Sequence, residues 1–215
     1  MNTPKEQLDA IKDMRNLMER SSRFLSLSGL SGVAIGIIAL LGAIALYVQF
    51  DLSPMNSGFE NKLASIQATI DDKNFLFLIA DALIVLLVAV IAGILMSINQ
   101  SKKLQLPSWD LTAKRLLINL FIPLVAGGIL CLIMIEKGDL IYLIPLTLIF
   151  YGLSLVNASK YSFDEIRTLG ILQIVLGLIA TWQPDFALLL WATGFGILHI
   201  GYGLLIHTKH QNGNK

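Results

Sequence analysis

Charge, histidine and cysteine are all scarce in this chain, and each shortage removes a class of explanation. Charged residues make up 14% of the 215, against about a quarter in an ordinary soluble domain. Apolar residues reach 55% and the mean hydropathy is +0.70. That balance excludes a soluble globular domain and reads as an integral membrane protein. The single Cys131 excludes an intramolecular disulfide, and its place inside an apolar run leaves the redox compartment undefined. A formal net charge of +1 gives no purchase on nucleic acid. The first apolar run follows a charged segment of 23 residues and is too long for the core of a signal peptide, so it is expected to be a retained span.

What the chain has in quantity is long apolar runs. Crossing about 30 Å of hydrocarbon takes roughly 20 helical residues. Six stretches serve, the fourth and fifth being shorter: 24–50, 75–98, 116–135, 140–156, 169–182 and 186–206. A backbone inside a bilayer must satisfy its own hydrogen bonds, and continuous Leu, Ile and Ala runs do so as helices. The fold class is therefore all-α, a six-helix transmembrane bundle. Residues 1–23 precede it, the membrane domain occupies 24–207, and 208–215 form a tail. Very short connections between spans three and four and between five and six read as helical hairpins, three in series. Tyr151-Gly152-Leu153-Ser154-Leu155 and Tyr202-Gly203-Leu204-Leu205-Ile206 hint at an internal repeat.

Basic residues fix an orientation. Thirteen of the sixteen Lys and Arg fall on the side of the N terminus, and only Lys62, Lys73 and Lys137 fall opposite. The positive-inside rule then places both termini in the cytoplasm, in a bacterial cytoplasmic (inner) membrane. Trp182, Trp191, Tyr47 and Tyr142 suit an outer aromatic belt, and Trp109 and Tyr161 an inner one.

Two segments outside the spans carry pattern. Leu8, Ile11, Met14, Leu17 and Met18 recur at helical spacing among mixed charges, which predicts an N-terminal amphipathic cytoplasmic helix. Its near-balanced charge weakens attraction to anionic lipid, leaving the protein's own loops or a cytoplasmic protein partner as its contact. Beyond span one, Ser57-Gly58-Phe59-Glu60 has capping-box spacing and opens a short outer helix.

Inside the bilayer the polar residues stand out. Asp81 lies six residues past Phe75, about 9 Å deep, where an ionised side chain is costly and faces the interior or water. Asn74, Val88, Ala92 and Asn99 fall on its helical stripe, which predicts an inward face. His199 shares a face with Ala192, Gly196 and Gly203, and titrates near neutral pH when unperturbed. It lies about 20 Å below Phe186, so some 11 Å of depth separates it from Asp81 and direct contact is not expected. Asn119, Gln173 and Cys131 complete the set that could line a route. Ser28, Gly32 and Gly36 form a small-residue packing seam, within the chain or across a homo-oligomer, and Gly196 and Gly203 form another. Pro123 and Pro145 are expected to kink spans three and four.

The run from Met14 to Gly32, MRNLMERSSRFLSLSGLSG, resembles a family of uncharacterised bacterial multi-pass membrane proteins typical of Bacteroidota, and the resemblance extends over the whole chain. Members often carry the label beta-carotene 15,15'-monooxygenase. Carotenoid cleavage oxygenases hold iron with four histidines on a soluble β-propeller; this chain has three histidines, two of them at its C-terminal end, so the label is not supported. No metal, cofactor or catalytic pair is implied. A fainter similarity, carried by Gly177-Leu178-Ile179-Ala180-Thr181-Trp182-Gln183-Pro184 with Gly194, Gly196 and Gly203, is to the HdeD-like acid-resistance membrane proteins. It covers the last hairpin and implies a stress role only as a resemblance. The expected function is that of a non-enzymatic membrane scaffold, sensor or regulator. The alternative is a small-solute or proton-coupled transporter using Asp81.

Overall fold

A computed structural model describes residues 29–50, 73–103, 105 and 109–212, with side chains through Thr208. The expected N-terminal helix, Ser28, the outer-loop helix after Ser57 and the chain beyond Asn212 lie outside these residues. Six helices are long and apolar enough to cross a membrane, and no strand occurs among the described residues. They are α1 (Gly29–Gln49), α2 (Lys73–Lys103), α3 (Leu111–Lys137), α4 (Leu143–Ala158), α5 (Asp164–Trp182) and a composite α6. Short 3₁₀ turns at Leu140–Tyr142 and Ser159–Tyr161 flank α4. In α6 an α-helical start, Ala187–Trp191, passes through a π-helical stretch, Ala192–Leu198, into a final α-helix, His199–Asn212.

The helices outrun the apolar stretches that announce them, because polar residues continue a helix past the hydrocarbon. α2 spans 31 residues, about 46 Å at helical rise. α3 begins at Leu111, five residues before its apolar run, since the Asp110 carboxylate accepts from Ala113 N at 2.6 Å and caps the first turn. It ends in a Schellman-like turn at Gly138, whose φ of 80° is left-handed. α6 runs to Asn212, so part of the expected tail is helix. Pro123 lies within α3, but Pro145 occupies the first turn of α4, where its missing N–H interrupts little; it starts that helix where a kink was expected.

Packing sets the order α2, α1, α6, α5, α4, α3, with α4 also touching the start of α6. α2 and α3, consecutive in sequence, flank opposite ends of this row and bury the least surface. The four central helices hold the core, in which Leu148, Ala180, Ala187, Leu188, Leu46 and Phe50 are buried.

Two crossings in that row are built alike. In α6/α1, a Cβ at Gly203 would lie 2.6 Å from Gly29 O, and one at Gly36 would lie 2.7 Å from Ile200 Cγ1. In α4/α5, a Cβ at Gly152 would lie 2.6 Å from Gly170 O, and one at Gly177 would lie 2.6 Å from Ile149 Cγ1. The spacings coincide: Gly29 and Gly36 match Gly170 and Gly177, while Ile200 and Gly203 match Ile149 and Gly152. The two Tyr-Gly motifs thus do the same work, letting backbones approach where no side chain fits. The seams around Gly32, Gly36, Gly196 and Gly203 close on each other within the chain.

Candidate functional site, a buried polar node at the α4, α5 and α6 junction

The π-helical stretch of α6 determines what gathers at the centre. Thr193 bonds its hydroxyl to Leu189 O at 2.8 Å, and Gly194 and Gly196 widen the turn without side chains to obstruct it. Such single-turn π segments are uncommon and concentrate at functional sites. Here the turn stacks Phe195 on His199, their rings 5.8 Å apart and 8° from parallel, with Trp191 4.9 Å beyond Phe195. Trp191 therefore packs inward and does not stand in an outer aromatic belt, whereas Trp182 and Tyr142 are exposed at that end.

His199 is 4% exposed and Gln173 fully buried. The imidazole Nδ1 lies 2.9 Å from Gly194 O, and Nε2 lies 2.9 Å from the Tyr151 hydroxyl on α4. A carbonyl can only accept, so Nδ1 carries hydrogen; Nε2 then offers its lone pair and the tyrosine hydroxyl donates to it. This arrangement is complete for a neutral imidazole. Gln173 on α5 fits less well: its Nε2 stands 3.5 Å from the same Nδ1, where it meets another donor, and its Oε1 accepts no hydrogen bond. A buried polar atom left unmatched costs about 1–3 kcal/mol. Gly194 is required beside it, because a Cβ there would collide with Gln173 Oε1.

The matched crossings supply an internal control. His199 sits four residues before Gly203, and the residue four before Gly152 is the fully buried Leu148. Gln173 follows Gly170 by three, and Gly32 follows Gly29 by three. Each crossing carries one polar residue where the other has none: His199 in α6/α1 stands where α4/α5 has Leu148, and Gln173 in α4/α5 stands where α6/α1 has Gly32. Backbone packing alone does not demand the polar pair.

Of the polar residues anticipated in the bilayer, only Gln173 and His199 come together. Asp81 lies on α2 against α1, 3.4 Å from where a Gly42 Cβ would be, and makes no hydrogen bond among the described residues. α2 meets α1 through Val85 and Gly93, and of the stripe expected with Asp81 only Asn74 and Ala92 are half-buried while Val88 and Asn99 are exposed, because α2 leans on one neighbour and its buried strip is narrow. Asn119 bonds its side chain to Arg115 O in its own helix and accepts from Asn157 Nδ2 through its backbone, both at 2.8 Å. Cys131 is half-buried in α3. Tyr151 is the member that sequence reading missed: it registered as part of a repeat, and only the fold sets it opposite His199, 48 residues away.

Fold and site together define an integral membrane protein with six spans among the described residues and a polar node closed inside its helices. Comparison with protein-family models, with curated proteins and with solved structures found no match to this chain.

Proposed function

We propose that the protein is a non-enzymatic scaffold, sensor or regulator of the bacterial cytoplasmic membrane, with both termini cytoplasmic. In this reading the Tyr151–His199 hydrogen bond holds α4 and α6, with Gln173 of α5 packed beside it, in the relation that a cytoplasmic partner reads. The supporting observation is the pair of matched crossings, each of which contributes a buried polar residue to the node, His199 from one and Gln173 from the other, where the matching place in its counterpart is Leu148 or Gly32. Asp81, Asn119 and Cys131 lie on α2 and α3, apart from the pair formed by Gln173 and His199, which also favours a static assembly over a continuous polar route.

The test is crosslinking in native membranes followed by mass spectrometry. A stoichiometric partner recovered with the full chain, lost on deleting residues 1–20 and weakened by His199→Leu at unchanged protein abundance, is the expected result. Recovery of the same proteins from all three overturns the reading. A second reading, transport through Asp81, draws on that carboxyl's lack of a hydrogen bond among the described residues. It requires proteoliposome uptake of solute or protons that Asp81→Asn abolishes in a folded protein.

A further inference from the structure

A second cluster lies at the end of the bundle that carries most of the basic residues, and three helices build it. The Ser159–Tyr161 turn packs against both α3 and α5. Toward α3, Asn157 Nδ2 donates to Asn119 O, and Asn119 Nδ2 donates to Arg115 O. Arg115 lies four residues from Asn119 along α3, and Lys160 three from Asn157, with its Nζ 3.5 Å from Asn157 Oδ1. Toward α5, a Cβ at Gly170 would meet Val156. Arg167 lies three residues from Gly170, and Lys160 four from Val156. Both cations of each pair thus stand about one helical turn, some 5.4 Å, beyond a direct interhelical contact, on the same side of it.

Lys160 is therefore flanked by Arg115 from α3 and Arg167 from α5. All three are exposed, and none makes an ion pair among the described residues. Of the acidic residues at this end, the Asp110 carboxylate is engaged in capping α3. Trp109, exposed just before α3, suits the headgroup level at the same edge. Three exposed cations at the same end of three adjacent spans match the phosphate of an anionic lipid; basic sites between transmembrane helices are a recurring form of lipid recognition.

We propose that Arg115, Lys160 and Arg167 form a headgroup site for an anionic phospholipid at the α3, α4 and α5 junction. The full chain, purified in mild detergent, is titrated with phosphatidylglycerol or phosphatidylcholine and bound lipid is counted by native mass spectrometry. Phosphatidylglycerol binds more tightly, and Lys160→Gln weakens it about fivefold, the factor for one basic residue near a membrane surface. Arg115→Gln with Arg167→Gln weakens it further, while Arg115→Lys with Arg167→Lys preserves the charge and most of the binding. Lys102→Gln with Lys103→Gln removes equal charge from the end of α2 and leaves it unchanged. Three results overturn the proposal: no preference for the anionic lipid, an equal loss in the α2 variant, or displacement of the lipid by inorganic phosphate, which would identify a free anion as the ligand.

Discussion

The α4/α5 and α6/α1 crossings solve one packing problem with the same glycine spacing, yet differ in what they leave beside the seam. Leu148 is sealed near the first, whereas His199 at the matching place in the second turns back toward α4 and binds Tyr151. Close backbone approach and polar chemistry are thus separable here. The glycines set the distance between helices, and the residue four positions before Gly152 or Gly203 decides whether that place is leucine or a hydrogen-bonding imidazole.

The largest effects should come from breaking the seams themselves. Gly152→Val and Gly203→Val each drive a side chain into the carbonyl of a facing glycine, which no rotamer relieves, and each should lower stability by about 3 kcal/mol. Equal losses in thermal unfolding in detergent would confirm that the crossings are equivalent; a tolerant Gly203→Val would end the comparison. His199→Leu imitates the leucine of the other crossing but strands the Tyr151 hydroxyl and Gly194 O, with an expected cost of about 1–3 kcal/mol. If it stabilises the protein, the polar node is not integral to packing in α6. Tyr151→Phe removes one interhelical hydrogen bond, for which values in membrane proteins run from about 0.6 to 1.7 kcal/mol. The unfolding midpoint should fall less than for His199→Leu, and the ordering of the two variants is the informative result. Gly201→Ala is the smallest: nothing lies within 4 Å of a Cβ there, so the change should be neutral or stabilising by up to about 1 kcal/mol through helix propensity.

The six spans were legible because a bilayer demands long apolar runs, and no other signal competes with that one. Helix ends were not, since the Asp110 cap and polar extensions such as Lys73 and Lys103 lie outside the hydrocarbon signal. Gly32, Gly36, Gly196 and Gly203 announced a seam by spacing, but periodicity cannot say that two such seams face each other. His199 and Gln173 were visible as polar residues in apolar runs. Their meeting was not, because it depends on a π turn that no residue pattern specified beyond Gly194 and Gly196. Asp81 illustrates the converse: an ideal helical stripe implied a broad inward face, while a helix leaning on a single neighbour buries only a strip.

The two crossings also differ in when they can form. Gly152 and Gly170 are separated by 18 positions and Gly29 and Gly203 by 174. At synthesis rates of about 5 to 20 residues per second, the first crossing becomes available within roughly four seconds, while the second waits roughly ten to thirty-five. During that interval α1 sits in the bilayer with its glycine face open to lipid or to any other small-residue helix. Of the six described spans, the last to be made closes the earliest, so a chain truncated before α6 leaves that seam unmatched.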